Sequence, residues 1–185
     1  MLRNTAVRIA EWSLRSCGNE KEKTVIQYGI EVFLENVIKI IIIISAGVLL
    51  KRFGETVLVL ATFSGIRISA GGIHARTSNG CTLMMLGVVF IALFADCLPA
   101  FPVAGIVVCC VYSMWIISKY APNGSRANVL LSQEERKRKV RRALLTVVVF
   151  SLSAFELGVR NLVLTSMVLE AVTIQIAKEK KNGEN

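Results

Sequence analysis

His74 and Cys81 are the residues of this chain whose types together could do covalent chemistry. A histidine near a cysteine makes a base and a nucleophile: the imidazole takes the thiol proton and the thiolate attacks a carbonyl carbon. Both lie in Arg67-Ile68-Ser69-Ala70-Gly71-Gly72-Ile73-His74-Ala75-Arg76-Thr77-Ser78-Asn79-Gly80-Cys81, which also holds a glycine pair. On an unbroken helix this spacing puts both side chains on one face but ~10 Å apart along the axis. Proton transfer needs about 2.6–3.2 Å, or one bridging water. An unbroken helix therefore fails. Ser78-Asn79-Gly80 is turn and N-cap chemistry, so a new helix is predicted to start just before Cys81. The thiol then falls in a first helical turn, where the macrodipole favours an anion. Gly71-Gly72 lets the preceding chain bend His74 back toward it, and Arg67 and Arg76 supply positive charge for a thiolate or an oxyanion. Spacing alone also fits a loop with an incidental histidine and a small, inert cysteine, so both readings stand at this point.

The other candidates are weaker. Cys97, Cys109 and Cys110 lie in apolar runs, where a thiol is expected to be unreactive, and Cys17 has no histidine nearby in sequence. An odd total of five cysteines argues against a disulfide framework. With a single histidine and no CxxC there is no ligand set of the usual zinc spacing, so no metal and no cofactor is expected. Glu156 and Glu170 sit inside apolar runs, where a charge costs ~2.5–3.5 kcal/mol and so points to function, such as a path for peptide or protons. Glu156 can reach an interface, which leaves Glu170 the better candidate, with Lys39 as a conceivable partner. The stretch Arg136–Arg142 places six cations in seven residues, including Arg136, Lys137, Arg138 and Lys139. It suits either the acidic tail of a peptide substrate or anionic lipid, the latter at ~1 kcal/mol per cation.

The elements that must position these groups follow from composition and apolar runs. The chain has 185 residues, 54% of them hydrophobic and 19% charged, with a net charge of +9 and a mean hydropathy of +0.58. That excludes an ordinary soluble domain. The cations fall between apolar runs and no aromatic interleaving accompanies them, which argues against nucleic acid as partner. Residues 1–16 read as an amphipathic helix, with Asn4, Arg8, Glu11 and Arg15 on one face and Leu2, Val7, Ile9 and Leu14 on the other. Such a helix suits the plane of an anionic membrane surface or the protein's own cytosolic side. Its arginines also interrupt the apolar core a signal peptide needs, so insertion is expected to rely on the spans.

A long helix is predicted from Thr24 to Leu50, with Glu35 and Lys39 as an i,i+4 pair. Further apolar runs are Thr56–Ile66, Thr82–Leu98, Phe101–Ser118, Ala143–Val159 and Leu162–Ala177. A span needs about 20 residues, so the second run is short unless its helix extends through Arg67. The fold expected is all-α: one polytopic membrane domain over residues 1–185, with about six transmembrane helices behind the amphipathic one. Six spans put both termini on one side. With that side cytosolic, eighteen Lys and Arg lie inside and three outside, as the positive-inside rule requires. The 67–81 segment and a basic loop over 119–142 are then cytosolic too.

The Arg67…Ala70-Gly71-Gly72-x-His74-Ala75…Cys81 signature resembles the AgrB (accessory gene regulator B) family. Lys119-Tyr120-Ala121-Pro122, followed by the basic stretch through Arg136-Lys137-Arg138-Lys139, resembles that family's next loop. Beyond Pro122 the chain departs from it, with Gly124 and Asn128-Val129 where many members carry an acidic residue and a Lys-Pro pair. The resemblance implies a membrane-embedded cysteine endopeptidase of the cell membrane that turns a short AgrD-like precursor into a cyclic quorum-sensing peptide. It implies Cys81 as nucleophile, His74 as general base and Arg67, Gly71 and Gly72 as supporting positions. It further implies an acyl-enzyme thioester, closure of a thiolactone or lactone, and a homodimer. Two other readings are a small peptide transporter built on Glu170 and Lys39, and an idle membrane scaffold.

Overall fold

The computed structural model describes residues 20–72, 78–122, 132–157 and 159–183, and these are helical throughout apart from short connections. The helices are α1 (Glu20–Leu49), α2 (Phe53–Ala70), α3 (Ser78–Asp96), α4 (Val103–Tyr120), α5 (Gln133–Leu157) and α6 (Arg160–Gly183). The amphipathic helix expected over residues 1–16 lies outside the described residues. Two compact units are present, Met1–Leu49 and Leu50–Asn185.

The first unit is represented by α1. Its apolar half comes from an aliphatic run through Ile44, and Lys39 Nζ pairs with Glu35 Oε2 at 3.5 Å one turn earlier. That pairing matches the sequence expectation and engages the one cation placed inside this span.

In the second unit α6 is the central helix and packs against each of the other four. Fifty-six per cent of its span is buried, against 22–33% for α2, α3 and α4. The outward faces are apolar instead: Phe94, Val108 and Val149 are exposed. A body as apolar outside as inside belongs in hydrocarbon, where every backbone polar group must be satisfied within a helix. Hydroxyls obey the same constraint. Thr62, Ser151 and Ser166 each donate to the carbonyl four residues back, at 2.7–2.9 Å. Gly65 lets α2 approach α5 closely, since a Cβ there would lie 3.3 Å from Thr146 Cγ2.

Among the described residues, five helices are long and apolar enough to cross a membrane: α1 through Gly29–Leu49, α2, α3, α4 and α6. The second apolar run, short in sequence, does reach span length because α2 continues through Arg67 to Ala70. The helix that falls short is α5. Its apolar part, Ala143 to Leu157, rises only ~21 Å, below the ~30 Å of a hydrocarbon core.

Helix α5 also revises the expected basic loop. Gln133–Arg142 is helical and continuous with the apolar half. A capping box starts it: Glu135 Oε2 accepts from the Ser132 backbone N–H at 3.0 Å, and Ser132 Oγ accepts from the Glu135 N–H at 3.3 Å. These bonds hold the exposed Glu135 carboxyl below its ordinary value, with Arg138 and Lys139 adding to the effect. Cations near a helix N-terminus oppose its dipole, and Glu134 and Glu135 in the first turn offset them.

Candidate active site at the glycine turn

Helix α2 ends where two glycines adopt backbone conformations other residues avoid. Gly71 has φ +80° and donates its N–H to Arg67 O at 2.9 Å, while Gly72 has φ +147°. Arg67, one turn before the end, is mostly buried. Its guanidinium lies 5.4 Å from the centre of the Phe63 ring and pairs with Glu170 of α6, Nη1 to Oε2 at 3.3 Å. Thr173 Oγ1 sits 2.9 Å from the same Glu170 oxygen and 3.0 Å from the Glu170 carbonyl. Glu170 itself is fully buried, and its second oxygen, Oε1, has no hydrogen-bond partner among the described residues.

Gly72 rests on this group. A Cβ at Gly72 would lie 2.9 Å from Thr173 Oγ1, 3.0 Å from Glu170 Oε1 and 3.1 Å from Arg67 Nη1. The glycine is thus required twice, by its dihedral angle and by the atoms against its Cα.

After residues 73–77 the chain re-enters a helix at Ser78, so Cys81 falls in the first turn of α3 and is half-buried. A helix start just ahead of Cys81 is expected from sequence, but it comes at Ser78, so Ser78, Asn79 and Gly80 lie inside α3 rather than forming a turn before it. The backbone N–H groups of a first turn lack intrahelical partners and point toward any anion there. His74 and Arg76 lie outside the described residues.

Among the sequence candidates, the structure brings together Arg67, Gly72 and Glu170, with Gly71 capping the same turn. The cationic partner of Glu170 is Arg67, whereas Lys39 is engaged by Glu35. Arg136, Lys137 and Arg138 are exposed on the first turns of α5, and Lys139 is half-buried there. Thr173 escaped the sequence reading. The available signal was its spacing of three from Glu170, which puts the two on one helix face.

Cys110 Sγ lies 3.1 Å from Ser151 Oγ and Cys97 Sγ is 3.5 Å from Leu93 O, so both thiols meet helix hydroxyl or carbonyl groups. The side chain of Glu156 and all of Cys17 fall outside the described residues.

An all-helical body with apolar outer faces and a buried ion pair under a glycine turn defines a polytopic membrane protein. The chain belongs to the accessory gene regulator B (AgrB) family, whose model matches residues 5–177. It is 29% identical over 165 residues to AgrB-like protein 2 of Clostridium perfringens strain 13, covering 81% of this chain and 75% of that one. It is 25% identical over 178 residues to an AgrB-like protein of Halalkalibacterium halodurans, covering 94% and 87%. No solved structure matches.

Proposed function

We propose that this chain is a membrane-embedded cysteine endopeptidase that converts a short precursor peptide into a cyclic autoinducing peptide. The observation that carries the reading is the position of Cys81, half-buried in the first turn of α3, directly after the segment that bears Gly71, Gly72 and His74. Membership of the AgrB family supports the same reading.

In this reading His74 takes the Cys81 proton and the Sγ thiolate attacks the carbonyl carbon of the scissile bond. The C–N bond breaks, the amine of the precursor's C-terminal part leaves with the proton from the imidazole, and an acyl-thioester remains on Cys81. A precursor cysteine thiol or serine hydroxyl then attacks that carbonyl. The C–S bond to Cys81 breaks, the ring closes as a thiolactone or lactone, and the enzyme thiol is restored. Exchange between thiols conserves acyl activation, so closure outpaces hydrolysis where water is kept away. The apolar surround of α2, α3 and α6 serves that end.

The exposed cations of Arg136–Arg142 take negative charge, from anionic lipid or from an acidic precursor tail, and the positive-inside rule favours the cytosol for that side. Both termini join it when α5 crosses as a sixth span with its cationic first turns at the interface. The working unit, on family resemblance, is a homodimer.

The test is co-expression with a candidate short precursor peptide, with cell and medium peptides weighed. Wild type is expected to release a C-terminal fragment and a ring, and Cys81→Ala and His74→Ala neither. Equal processing by Cys81→Ala would remove the mechanism and favour a transporter built on Glu170.

A further inference from the structure

A fully buried carboxylate in a membrane span is costly, so something must retain Glu170. The structure shows what surrounds it. One oxygen, Oε2, is held by Arg67 and Thr173, and the other, Oε1, faces the Cα of Gly72 with no hydrogen-bond partner among the described residues. Arg67 is thereby fixed twice. Its carbonyl receives the Gly71 N–H that closes α2, and its guanidinium is tied across to α6. Gly72 then seats against all three side chains at once. The path by which the chain leaves α2 is therefore set by groups on α6 as well as by α2 itself. From Gly72 that chain runs on to His74 and Cys81.

We infer that Glu170 is a positioning residue for the peptidase site: through Arg67, and by direct contact with Gly72, it fixes the glycine turn from which the His74–Cys81 segment departs. The inference rests on the peptidase reading above. It assigns Glu170 no contact with substrate, because the side chain is sealed inside the bundle. Thr173 belongs to the same device, since its hydroxyl is the atom a Gly72 side chain would strike first.

The experiment needs no precursor. The full-length protein in liposomes is treated with N-ethylmaleimide between pH 5 and 9, and modification of Cys81 is followed by peptide-resolved mass spectrometry. Wild type is expected to react on the order of tenfold faster at pH 7 than His74→Ala, the difference reporting the activated thiol. Glu170→Gln and Gly72→Ala are expected to move the whole pH profile to that of His74→Ala, Glu170→Asp to fall between, and Thr173→Val to shift it least. Asn161→Ala is the control. Asn161 bonds the turn after α3 at the opposite end of the unit, so its loss lowers the unfolding temperature while leaving the Cys81 profile in place.

If His74→Ala changes the profile and Glu170→Gln and Gly72→Ala do not, the positioning role is wrong and the peptidase reading survives. If His74→Ala leaves the profile of wild type intact, both fall together. If Asn161→Ala moves the profile as far as Glu170→Gln, the effect is general destabilisation and the inference is overturned.

Discussion

The two ends of the five-helix unit place their charges at different depths. At one end, α2 begins, α3 ends and α6 begins, and the polar groups there hold loops shut. Arg52 pairs with Glu55 at 2.8 Å and also with Asp96. The buried Asn161 donates to the carbonyls of Ala95, Leu98 and Pro99 at 3.0–3.2 Å and accepts from the Phe101 N–H. Arg160 adds a bond to Phe101 O at 3.0 Å. Those contacts tie a short connection to the helix beneath it. At the other end, an ion pair is buried far more deeply, one carboxylate oxygen has no hydrogen-bond partner among the described residues, and two glycines take positive φ. The first end shares some of this, since Lys51 takes φ +56° and Arg52 Nε, 2.8 Å from Glu55 Oε1, makes no well-directed hydrogen bond among the described residues. The ends differ in depth, the charges being a quarter to a third exposed there and 0–12% exposed at Glu170 and Arg67. A charge pair buried that deeply, with a glycine seated against both partners, marks a place where stability has been given up for placement.

The largest way to sharpen this contrast is to remove one partner of each ion pair in turn. Arg67→Ala leaves a carboxylate stranded in the interior and is expected to destabilise the protein by about 3–5 kcal/mol, measured by thermal unfolding in detergent. Asp96→Ala breaks a pair that is about a quarter to a third exposed and should cost only ~0.2–1 kcal/mol. Equal losses would erase the distinction between the ends. The complementary double variant, Arg67→Met with Glu170→Leu, removes both charges and should recover most of the stability, because apolar replacements of buried pairs are often neutral or better. It should not recover precursor processing. Full activity in that variant would show that the pair is dispensable to the site.

Next in size is Asn161→Ala, expected to cost ~1–3 kcal/mol by removing the hydrogen bonds to Ala95, Leu98 and Pro99, with cyclised product formed at the wild-type rate per folded molecule. Smaller still is Ser132→Ala at the start of α5, at about 0.5–2 kcal/mol. The same capping box gives a pH signature. Glu135 has its carboxyl held below the ordinary range, so its contribution is present above the unfolded carboxylate value of about 4.3 and is lost as pH falls through the lower folded value. The stability gap between wild type and Glu135→Gln should therefore be constant near neutrality and close in acid.

Much of this was legible from one-dimensional pattern. Gly71-Gly72 announced the break after α2, because it is local backbone chemistry; Ser78-Asn79-Gly80 announced a helix start near Cys81 but not its position, since α3 takes all three residues in. The extension of α2 through Arg67 was half legible. A cation at the end of a short apolar run marks either a boundary or a paired residue, and only packing decides. The pairing itself was not legible. Arg67 and Glu170 are 103 positions apart, and nothing in local pattern ranks Arg67 above Lys39 as the partner. The helical start of α5 could have been read from Ser132-x-x-Glu135, but the density of cations after it favoured a loop. The short apolar part of α5 was also written in the sequence, since Glu156 and Gly158 close it soon after Ala143 opens it.

The central claim is that Cys81 carries the acyl group, and it can be weighed directly. Wild-type protein in liposomes, mixed with the synthetic precursor and quenched in acid, should yield a Cys81 peptide heavier by the precursor's N-terminal part, and hydroxylamine should remove that mass. The same adduct should be absent from His74→Ala at early times. Precursor cleavage with no thioester on Cys81, or with the adduct on another cysteine, would contradict the account.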